Sequence, residues 1–260
     1  MNTKITEKIT ASILFFLASL LTGFMSLLAF GFVWARQSGA TSRSTQKARG
    51  YLADKKRALN FYRIFSAAYD ILNPYLYTDT MRDEIVSQIK IGDNLRVLDV
   101  GCGTGYTTWG VLSRKDVGEV IGLDMNPVQL NKAVKNLQSK KAKLSISRGD
   151  AENLPFIDES FDAVISVGAI EYFPDPERVL RELARVANPN GNVVVCGPES
   201  AWFSKFALNR VFFTPSTKEL ERIFRNAGLV HVKSFLTGVN TIFGTGRYVV
   251  FAVGTKTAGM

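Results

Sequence analysis

The stretch that decides the fold is Leu95–Thr108, which reads LRVLDVGCGTGYTT. A short apolar run with β-branched residues ends in Asp99, and Gly101, Gly103 and Gly105 follow it. This order predicts a strand, a tight turn and a helix. Glycines suit such a turn because they accept backbone angles that a β-carbon disfavours and let a ligand approach the main chain. The N–H groups that open the helix then face that ligand with a partial positive charge.

The glycine spacing differs from G-x-G-x-x-G, the dinucleotide-binding fingerprint. Here the last glycine comes one residue early, and an acid stands two residues before the first. This D-x-G-x-G-x-G form resembles the first motif of class I S-adenosylmethionine (SAM) methyltransferases, which implies SAM as the cofactor. The residues of this stretch that we assign to the cofactor are Asp99, Gly101, Cys102, Gly103 and Gly105. The alternative is a glycine-rich turn that holds no ligand.

Composition describes a folded, basic chain. Its 260 residues are 46% hydrophobic, which is enough for one large domain and an appendage. Lys and Arg number 32 against 23 Asp and Glu, and such basic proteins seek phosphate in nucleic acids or lipid headgroups. The two cysteines, Cys102 and Cys196, form neither a disulfide framework nor a CxxC metal site. We therefore expect a reducing compartment and no metal.

An uncharged apolar segment lies near the N-terminus, at Ala11–Trp34. Roughly two dozen such residues can cross a hydrocarbon core of ~30 Å as a helix. A cleaved signal peptide usually has a shorter apolar region and a small-residue cleavage site directly after it, and this segment has neither. A buried core helix is the other alternative. We expect residues 1–36 to form a retained membrane anchor.

Basic residues gather after this segment: Arg36, Arg43, Lys47, Arg49, Lys55, Lys56, Arg57 and Arg63. The flank before the segment carries fewer, so the positive-inside rule places the following domain in the cytoplasm of a single-pass membrane protein. The cluster can also contact the headgroups of membrane lipids, at about 1 kcal/mol per basic residue, or be solvated. A nucleic-acid partner fits less well, because the rest of the chain is closer to neutral. We assign residues 37–60 to a basic polar linker and 61–260 to the catalytic domain.

A helical pattern after Tyr51 spaces apolar residues by three and four and ends in YDILNP, Tyr69–Pro74. The YD-x-x-N arrangement resembles the N-terminal lid of quinone methyltransferases. That resemblance implies that Tyr69 lies over the cofactor, and a packed aromatic residue is the alternative.

A second predicted strand, EVIGLD, ends in Asp124 about twenty residues after Gly105. In a nucleotide-binding α/β unit, a carboxylate at this distance holds the ribose hydroxyls. A lone acid at a strand end is otherwise usually a helix cap. Asn126 and Pro127 supply the N-cap and first residue of the next helix, and Met125 would flank the adenine.

A third strand is predicted at Ala142–Arg148, followed by GDAENLPF. This run resembles the methyltransferase segment whose aspartate binds the adenine amino group, which assigns Asp150 and Ala151 to the cofactor. A carboxylate that accepts a hydrogen bond from an amino group is an ordinary specificity contact. The alternative for Asp150 is a solvated loop acid.

The fourth and fifth strands are predicted at 160–167 and 192–196, with a turn at 188–191 before the fifth. The stretch SVGAIEYFPDP from Ser166, with GPESAW after the fifth strand, resembles the plant and cyanobacterial 2-methyl-6-phytyl-benzoquinol methyltransferase family. The resemblance covers roughly residues 95–229 and implies a prenylated quinol as the acceptor. Ala169 stands where that family has Ser, and the anchor is N-terminal here but C-terminal in plant members.

Methylation of a phenol ring gains about 10²–10⁴-fold from a base that withdraws the hydroxyl proton. Glu171, Tyr172 and His231 are the candidates, with Glu171 preferred because it follows the fourth strand. A salt-bridged surface acid is the alternative for Glu171, and a surface or core position is the alternative for His231. The aromatic-rich segment 202–213 either lines an acceptor channel, enters the membrane interface or packs on the core.

Alternating strands and helices predict a doubly wound, largely parallel α/β sheet. The resemblance adds a Rossmann-like sheet of seven strands with an antiparallel last strand. Ligands bind at the carboxyl ends of such strands, where the predicted cofactor residues converge, Ser166 among them. We therefore expect a membrane-anchored SAM-dependent methyltransferase for a lipophilic acceptor, preferably a prenylated benzoquinol or naphthoquinol. The alternatives are a phospholipid or other lipid methyltransferase and a SAM-binding scaffold without catalysis, and the oligomeric state stays open.

Overall fold

The computed structural model describes residues 52–63, 78–199, 212–237 and 249–257. Its centre is a seven-stranded sheet in the order β3-β2-β1-β4-β5-β7-β6. The strands are β1 Leu95–Val100, β2 Val117–Asp124, β3 Leu144–Arg148, β4 Phe161–Val167, β5 Ala187–Pro198, β6 Leu229–Thr237 and β7 Val249–Lys256. Only β7 runs against its neighbours in this sheet. The predicted mostly parallel α/β sheet with an antiparallel last strand is confirmed.

Most of the described helices begin at a side-chain cap, and the helix that follows the glycine turn begins without one. The helices are α1 at 55–63, α2 Asp79–Ser87, α3 Tyr106–Leu112, α4 Pro127–Asn136, α5 Pro176–Val186 and α6 Thr217–Asn226, with 3₁₀ turns at Gln138–Lys143 and Ile170–Tyr172. Asn126, Asp175 and Ser216 accept hydrogen bonds from backbone N–H groups of the first turns of α4, α5 and α6. Such caps satisfy donors that a helix start otherwise leaves unpaired.

The core lies on both faces of the sheet. On one face, Leu98 and Val100 of β1 pack with the apolar sides of α5 and α6. On the other face, Val97 of β1 packs with α2 and α3. Because successive strand residues point to opposite faces, β1 contributes to both layers. The carboxyl ends of the parallel strands therefore lie between two helix layers.

Two predicted boundaries were wrong. The third strand begins at Leu144, because residues 138–143 form a 3₁₀ turn. The predicted turn at 188–191 lies inside β5, where these residues bulge opposite the single residue Asp162. Asn190 has a φ of 62°, and the Asn188 side chain donates to Asp162 at 2.9 Å. The turn residues therefore break the register of one long strand rather than separate two elements.

Several predictions concern residues outside the described ranges. The membrane anchor at 1–36, Tyr69 and the aromatic residues 202–211 lie there. Among the described residues, no helix has the length and apolar character needed to span a bilayer. Residues 55–60, which our domain boundaries assigned to the linker, form part of α1.

Candidate functional site

A cleft opens at the carboxyl ends of the parallel strands, with α1 lying across it. Six of the predicted cofactor residues line this cleft: Gly101, Gly103, Asp124, Met125, Asp150 and Ala151. They come from the turn after β1, the end of β2 and the loop after β3. These segments meet because parallel strands bring their carboxyl ends to one edge of the sheet.

The three glycines of the first turn have left-handed backbone angles for different reasons. Gly101 has a φ of 74°, and a β-carbon there would come within 2.5 Å of the Ala169 side chain. Gly105 has a φ of 90°, and its β-carbon would meet Leu137 at 2.6 Å. Gly103 has a φ of 55°, and its β-carbon would meet nothing within 4 Å, because it faces the open cleft. Gly103 therefore leaves space that a ligand can use.

Asp124 is fixed at the edge of the cleft by the backbone. Its Oδ2 accepts a hydrogen bond from Gly103 N at 3.0 Å, and its Oδ1 accepts one from Asn126 N at 2.7 Å. Burial raises the pKa of Asp124, and these backbone N–H groups oppose the rise. Carboxylate oxygens have two lone pairs each, so Asp124 can still accept hydrogen bonds from ligand hydroxyls.

Two buried polar atoms beside Asp124 lack partners within the ranges that the structure describes. They are Nδ2 of Asn126 and Oε1 of Gln129, on residues that line the cleft and are 5% and 2% exposed. Buried polar atoms without partners are rare, and a ligand is one explanation for them. From the sequence, Asn126 is predicted only as a helix cap, and no role is predicted for Gln129, which follows it by three residues on the first turn of α4.

Asp150 is paired with a lysine of α1. Its Oδ2 accepts a hydrogen bond from Lys55 Nζ at 2.7 Å, and its Oδ1 accepts one from Glu152 N at 3.0 Å. Burial alone would raise the pKa of Asp150, but the Lys55 and Glu152 hydrogen bonds outweigh it and lower the pKa below its ordinary value. The carboxylate therefore stays ionised at the cleft, where its side chain is 39% exposed and paired with Lys55.

Glu152 connects this loop to two other elements. Its Oε2 lies 2.6 Å from Lys55 Nζ, and its Oε1 accepts a hydrogen bond from the backbone N–H of Asp175, the N-cap of α5, at 3.0 Å. No role is predicted from the sequence for Glu152, and Lys55 is predicted only as one member of a basic cluster. The glutamate of the GDAE motif was a visible signal for Glu152. No local signal links Lys55 to Asp150, which lies 95 positions later in the chain.

Three predicted cofactor residues lie beneath the cleft instead of lining it. Asp99 is 1% exposed and accepts a hydrogen bond from Thr108 Oγ1 at 2.6 Å, so it holds α3 against β1. Burial, together with the nearby charge of Asp124, raises the pKa of Asp99 to about 7. Cys102 and Ser166 are also buried, and burial raises the pKa of the Cys102 thiol.

Glu171 is buried beside the cleft wall. It is 6% exposed, and its Oε2 has no hydrogen-bond partner among the described residues. Burial raises the pKa of Glu171 to about 8. A β-carbon on Gly197, at the carboxyl end of β5, would lie 3.6 Å from this oxygen. The carboxyl group therefore points along the sheet edge, and the alternative of a salt-bridged surface acid does not apply.

Tyr172 lies on the cleft wall between α1 and the segment that begins at Phe212. Its ring centroid is 5.1 Å from that of Tyr62 and 5.7 Å from that of Phe212, both edge to face. Such contacts are favourable for aromatic rings, whose edges are positive and whose faces are negative. We call these three residues, Tyr62, Tyr172 and Phe212, the aromatic wall.

His231 lies far from this cleft. It is exposed on β6, with a φ of 52°, at a bulge between Val230 and Lys233. Val230 of β6 pairs with Thr255 of β7. Thr255 also pairs with Asn192 of β5, where the regular pairing of β5 begins. His231 is therefore at the amino-terminal edge of the parallel strands, opposite the cleft, and is no longer a candidate base.

Comparisons with known proteins agree with this geometry. A family model described as a methyltransferase domain matches residues 98–195. The chain is 38% identical to "2-methyl-6-phytyl-1,4-hydroquinone methyltransferase 2, chloroplastic" of Oryza sativa subsp. japonica, over 76% of this chain and 58% of that protein. It is 30% identical to "Demethylmenaquinone methyltransferase" of Bacillus velezensis, over 61% of this chain and 82% of that protein.

A similar fold occurs among solved structures. A SAM-dependent methyltransferase of Thermotoga maritima, described as a possible histamine N-methyltransferase, superposes with a TM-score of 0.61 at 22% identity, over 76% of this chain and 99% of that one. The chain spans 58–63% of the length of four plant hydroquinone methyltransferases that it matches. It belongs to the class I SAM-dependent methyltransferases, in the family that contains the 2-methyl-6-phytyl-1,4-hydroquinone and demethylmenaquinone methyltransferases.

Proposed function

We propose that this protein transfers the methyl group of SAM to the ring of a lipophilic quinol. The proposal rests on one observation: Asp124, Asp150 and the open face of Gly103 line the same cleft. These residues come from three segments that the sequence separates by 47 positions, from 103 to 150. The names of the plant and bacterial relatives support a quinol ring as the acceptor.

The residues of the cleft suit SAM. Asp124 offers a fixed carboxylate to the ribose hydroxyls, and Asp150 offers an ionised one to the adenine amino group. Nδ2 of Asn126 and Oε1 of Gln129 add a donor and an acceptor that have no partner in the described chain. The side chains of Met125 and Leu123 supply apolar surface at the same edge. One ligand with a sugar, a heterocycle and an amino-acid tail would use all of these groups.

Bound SAM supplies a methyl group on a sulfonium, which is already a good leaving group. The protein therefore has to orient the acceptor in line with that methyl group, and such positioning can lower a barrier by about 7–11 kcal/mol. We infer that the aromatic wall orients the acceptor, because the rings of Tyr62 and Tyr172 line the cleft and are held edge to face, with buried Phe212 packed behind Tyr172. An aromatic acceptor ring can pack on it edge to face or offset-stacked.

Glu171 is the base that we propose for the acceptor hydroxyl. Its Oε2 is buried near Gly197 at the end of β5 and has no partner in the described ranges, so it can accept a proton there. A carboxylate whose pKa is about 8 is much closer in basicity to a phenol, of pKa about 10, than an ordinary glutamate. Withdrawing the hydroxyl proton makes the ring carbon more nucleophilic, and general bases typically contribute about 10²–10⁴-fold.

We further propose that the apolar segment Ala11–Trp34 holds the enzyme at the membrane, with the catalytic domain on the cytoplasmic side. The support is the sequence alone, since the segment is uncharged and the basic residues follow it. A prenylated acceptor dissolves in the bilayer, so an anchored enzyme meets it at a high effective concentration.

The test uses the full-length protein in membranes or detergent micelles. Binding of S-adenosylhomocysteine (SAH) is measured by calorimetry, and methyl transfer from labelled SAM is measured with a prenylated benzoquinol, a prenylated naphthoquinol and a phospholipid. We expect binding and transfer to a quinol, and Asp124→Ala should weaken SAH binding at least tenfold. His231→Ala is the matched control, because this exposed residue lies at the opposite edge. Binding without transfer to either quinol would refute the proposed acceptor, and no SAH binding would refute the whole proposal.

A further inference from the structure

Helix α1 has two different faces. Lys55, Ala58, Leu59 and Tyr62 recur at the spacing of one helical face and line the cleft. Lys56, Asn60 and Arg63 lie on the other side and are exposed. The helix therefore covers the cleft with one face, and something has to hold that face in place.

Polar and aromatic contacts join the two ends of α1 to other elements around the cleft. Near the last turn, Tyr62 packs against Tyr172 of the aromatic wall. At the first turn, Lys55 Nζ lies 2.7 Å from Asp150 Oδ2 and 2.6 Å from Glu152 Oε2. We call this ion-pair cluster of Lys55, Asp150 and Glu152 the lysine bridge. The Glu152 side chain is only 11% exposed, so solvent screens its half of the bridge weakly.

Helix stability does not explain a lysine at this position. A positive charge in the first turn opposes the helix dipole, whose amino-terminal end is itself positive. The N-cap of α1 is Asp54, which accepts a hydrogen bond from Arg57 N at 2.9 Å, so the helix start is already satisfied. The partners of Lys55 lie instead on the loop after β3. Asp150 and Glu152 raise the pKa of Lys55 despite the opposing effect of its burial, so it stays charged in the bridge.

We propose that Lys55 is a positioning residue that holds α1 closed over the cofactor cleft through the lysine bridge. This inference rests on the proposed function, since it takes the cleft to be the SAM site. Asp150 takes part in both interactions, because its oxygens have enough lone pairs to accept from Lys55 and from an adenine amino group. Closure of α1 and retention of the cofactor are therefore coupled through one carboxylate.

The first experiment compares Lys55→Met with Lys56→Met in the full-length protein. Both variants lose one positive charge from the same turn, but only Lys55 faces the cleft. In stopped-flow binding, we expect Lys55→Met to raise the SAH dissociation rate about tenfold with little change in association, since partly buried charged hydrogen bonds are broken. The KM for SAM should rise while kcat at saturation stays near the wild-type value, and Lys55→Arg should restore most of the loss. Lys56→Met should match the wild type.

The second experiment needs no ligand, so it separates this inference from the proposed function. Hydrogen exchange of the α1 amides is measured in the free protein for the wild type, Lys55→Met, Glu152→Gln and the double variant. Glu152→Gln keeps the oxygen that accepts from Asp175 N but removes the charge. We expect each single variant to speed exchange several-fold, and the double variant to exchange little faster than Lys55→Met alone.

Two outcomes would overturn the inference. One is exchange in Lys55→Met at the wild-type rate, and the other is full additivity of the two substitutions, which would mean that Lys55 and Glu152 act independently. If the wild type binds no SAH but the exchange results are as expected, the proposed function fails and the contact of α1 through the lysine bridge stands.

Discussion

Replacing Glu171 with glutamine should make the protein more stable in alkaline solution. In the folded protein, burial raises the pKa of Glu171 from 4.5 to about 8. Its folded state therefore holds a proton that the unfolded state releases, and the stability from this group is complete below pH 4.5 and lost as the pH rises through 8. At 1.36 kcal/mol per pH unit, the full loss amounts to about 5 kcal/mol.

A glutamine does not ionise, so it avoids this loss. Its amide is also buried at a position where Oε2 has no partner in the described chain, which offsets part of the gain by about 1–3 kcal/mol. We therefore expect Glu171→Gln to exceed the wild type in free energy of unfolding by about 2–4 kcal/mol at pH 9 and by little or nothing at pH 5. Urea denaturation of both proteins at each pH, followed by fluorescence, gives the four values. Equal differences at pH 5 and pH 9 would show that Glu171 keeps an ordinary pKa.

The same substitution should lower activity. The carboxyl group has to be ionised to accept a proton, so wild-type methyl transfer to a quinol should rise with pH and level off above about 8. Glu171→Gln should lose about 10²–10⁴-fold in rate and this pH dependence, while SAH binding stays unchanged. A variant that is stabilised at pH 9 but retains full transfer would place the buried carboxyl outside the reaction.

Two further substitutions test the glycine turn and the residue beneath it. Gly103→Ala should weaken SAH binding about tenfold or more, because its φ of 55° disfavours a β-carbon and that carbon would enter the cleft. Binding is measured by calorimetry. A variant that binds SAH with wild-type affinity would contradict the assignment of this space to the ligand. Thr108→Val removes the hydroxyl that donates to buried Asp99 and should destabilise the fold by about 1–3 kcal/mol. The difference in free energy of unfolding between the variant and the wild type should grow above pH 7, because Asp99 then ionises without its hydroxyl donor. Urea denaturation at pH 6 and pH 8 measures this effect, and identical unfolding curves would argue against it.

The sequence could predict the sheet and six of the residues that line the cleft, because the patterns that indicate them are local. The apolar run, the left-handed glycines and the strand-end acid Asp124 are all encoded within a few residues. The alternation of β1 also held a signal that we did not use. Leu98 and Val100 point into one core layer, so Asp99 must point to the opposite face, toward Thr108 of α3. Strand periodicity alone therefore distinguishes a buried acid beneath the turn from one that lines the cleft.

The features that the sequence could not predict depend on long-range topology. The partners of Lys55 come 95 and 97 positions later in the chain, on a loop whose position is set by β3. His231 begins a strand of the same direction as β5, so it lies at the edge where parallel strands start. Strand order and direction decide both cases, and neither follows from residue type or spacing.

Four acids near the same sheet edge have been given different chemical properties by their surroundings. Asp150 has a lowered pKa because Lys55 and a backbone N–H bind its charged form. Asp124 is more buried, and the backbone N–H groups of Gly103 and Asn126 partly offset the rise in its pKa. Asp99 has a single hydroxyl donor, Oε2 of Glu171 has no partner in the described chain, and burial raises the pKa values of these two acids to about 7 and about 8.

This gradient follows burial and the charge of the donor, because Asp150 is partly exposed and pairs with Lys55, whereas burial is the largest cause of the raised pKa of the other three acids. It also separates roles, since groups whose environments push their pKa values apart can bind and exchange protons independently. An acid whose charge is held by a lysine or by fixed backbone N–H groups is suited to binding a ligand, as we propose for Asp150 and Asp124. A buried acid whose pKa rises to near neutral pH is suited to moving a proton. On that argument we propose Glu171 as the base at this edge, rather than Asp150, which pairs with Lys55, or Asp99, whose carboxylate accepts from Thr108 beneath the turn.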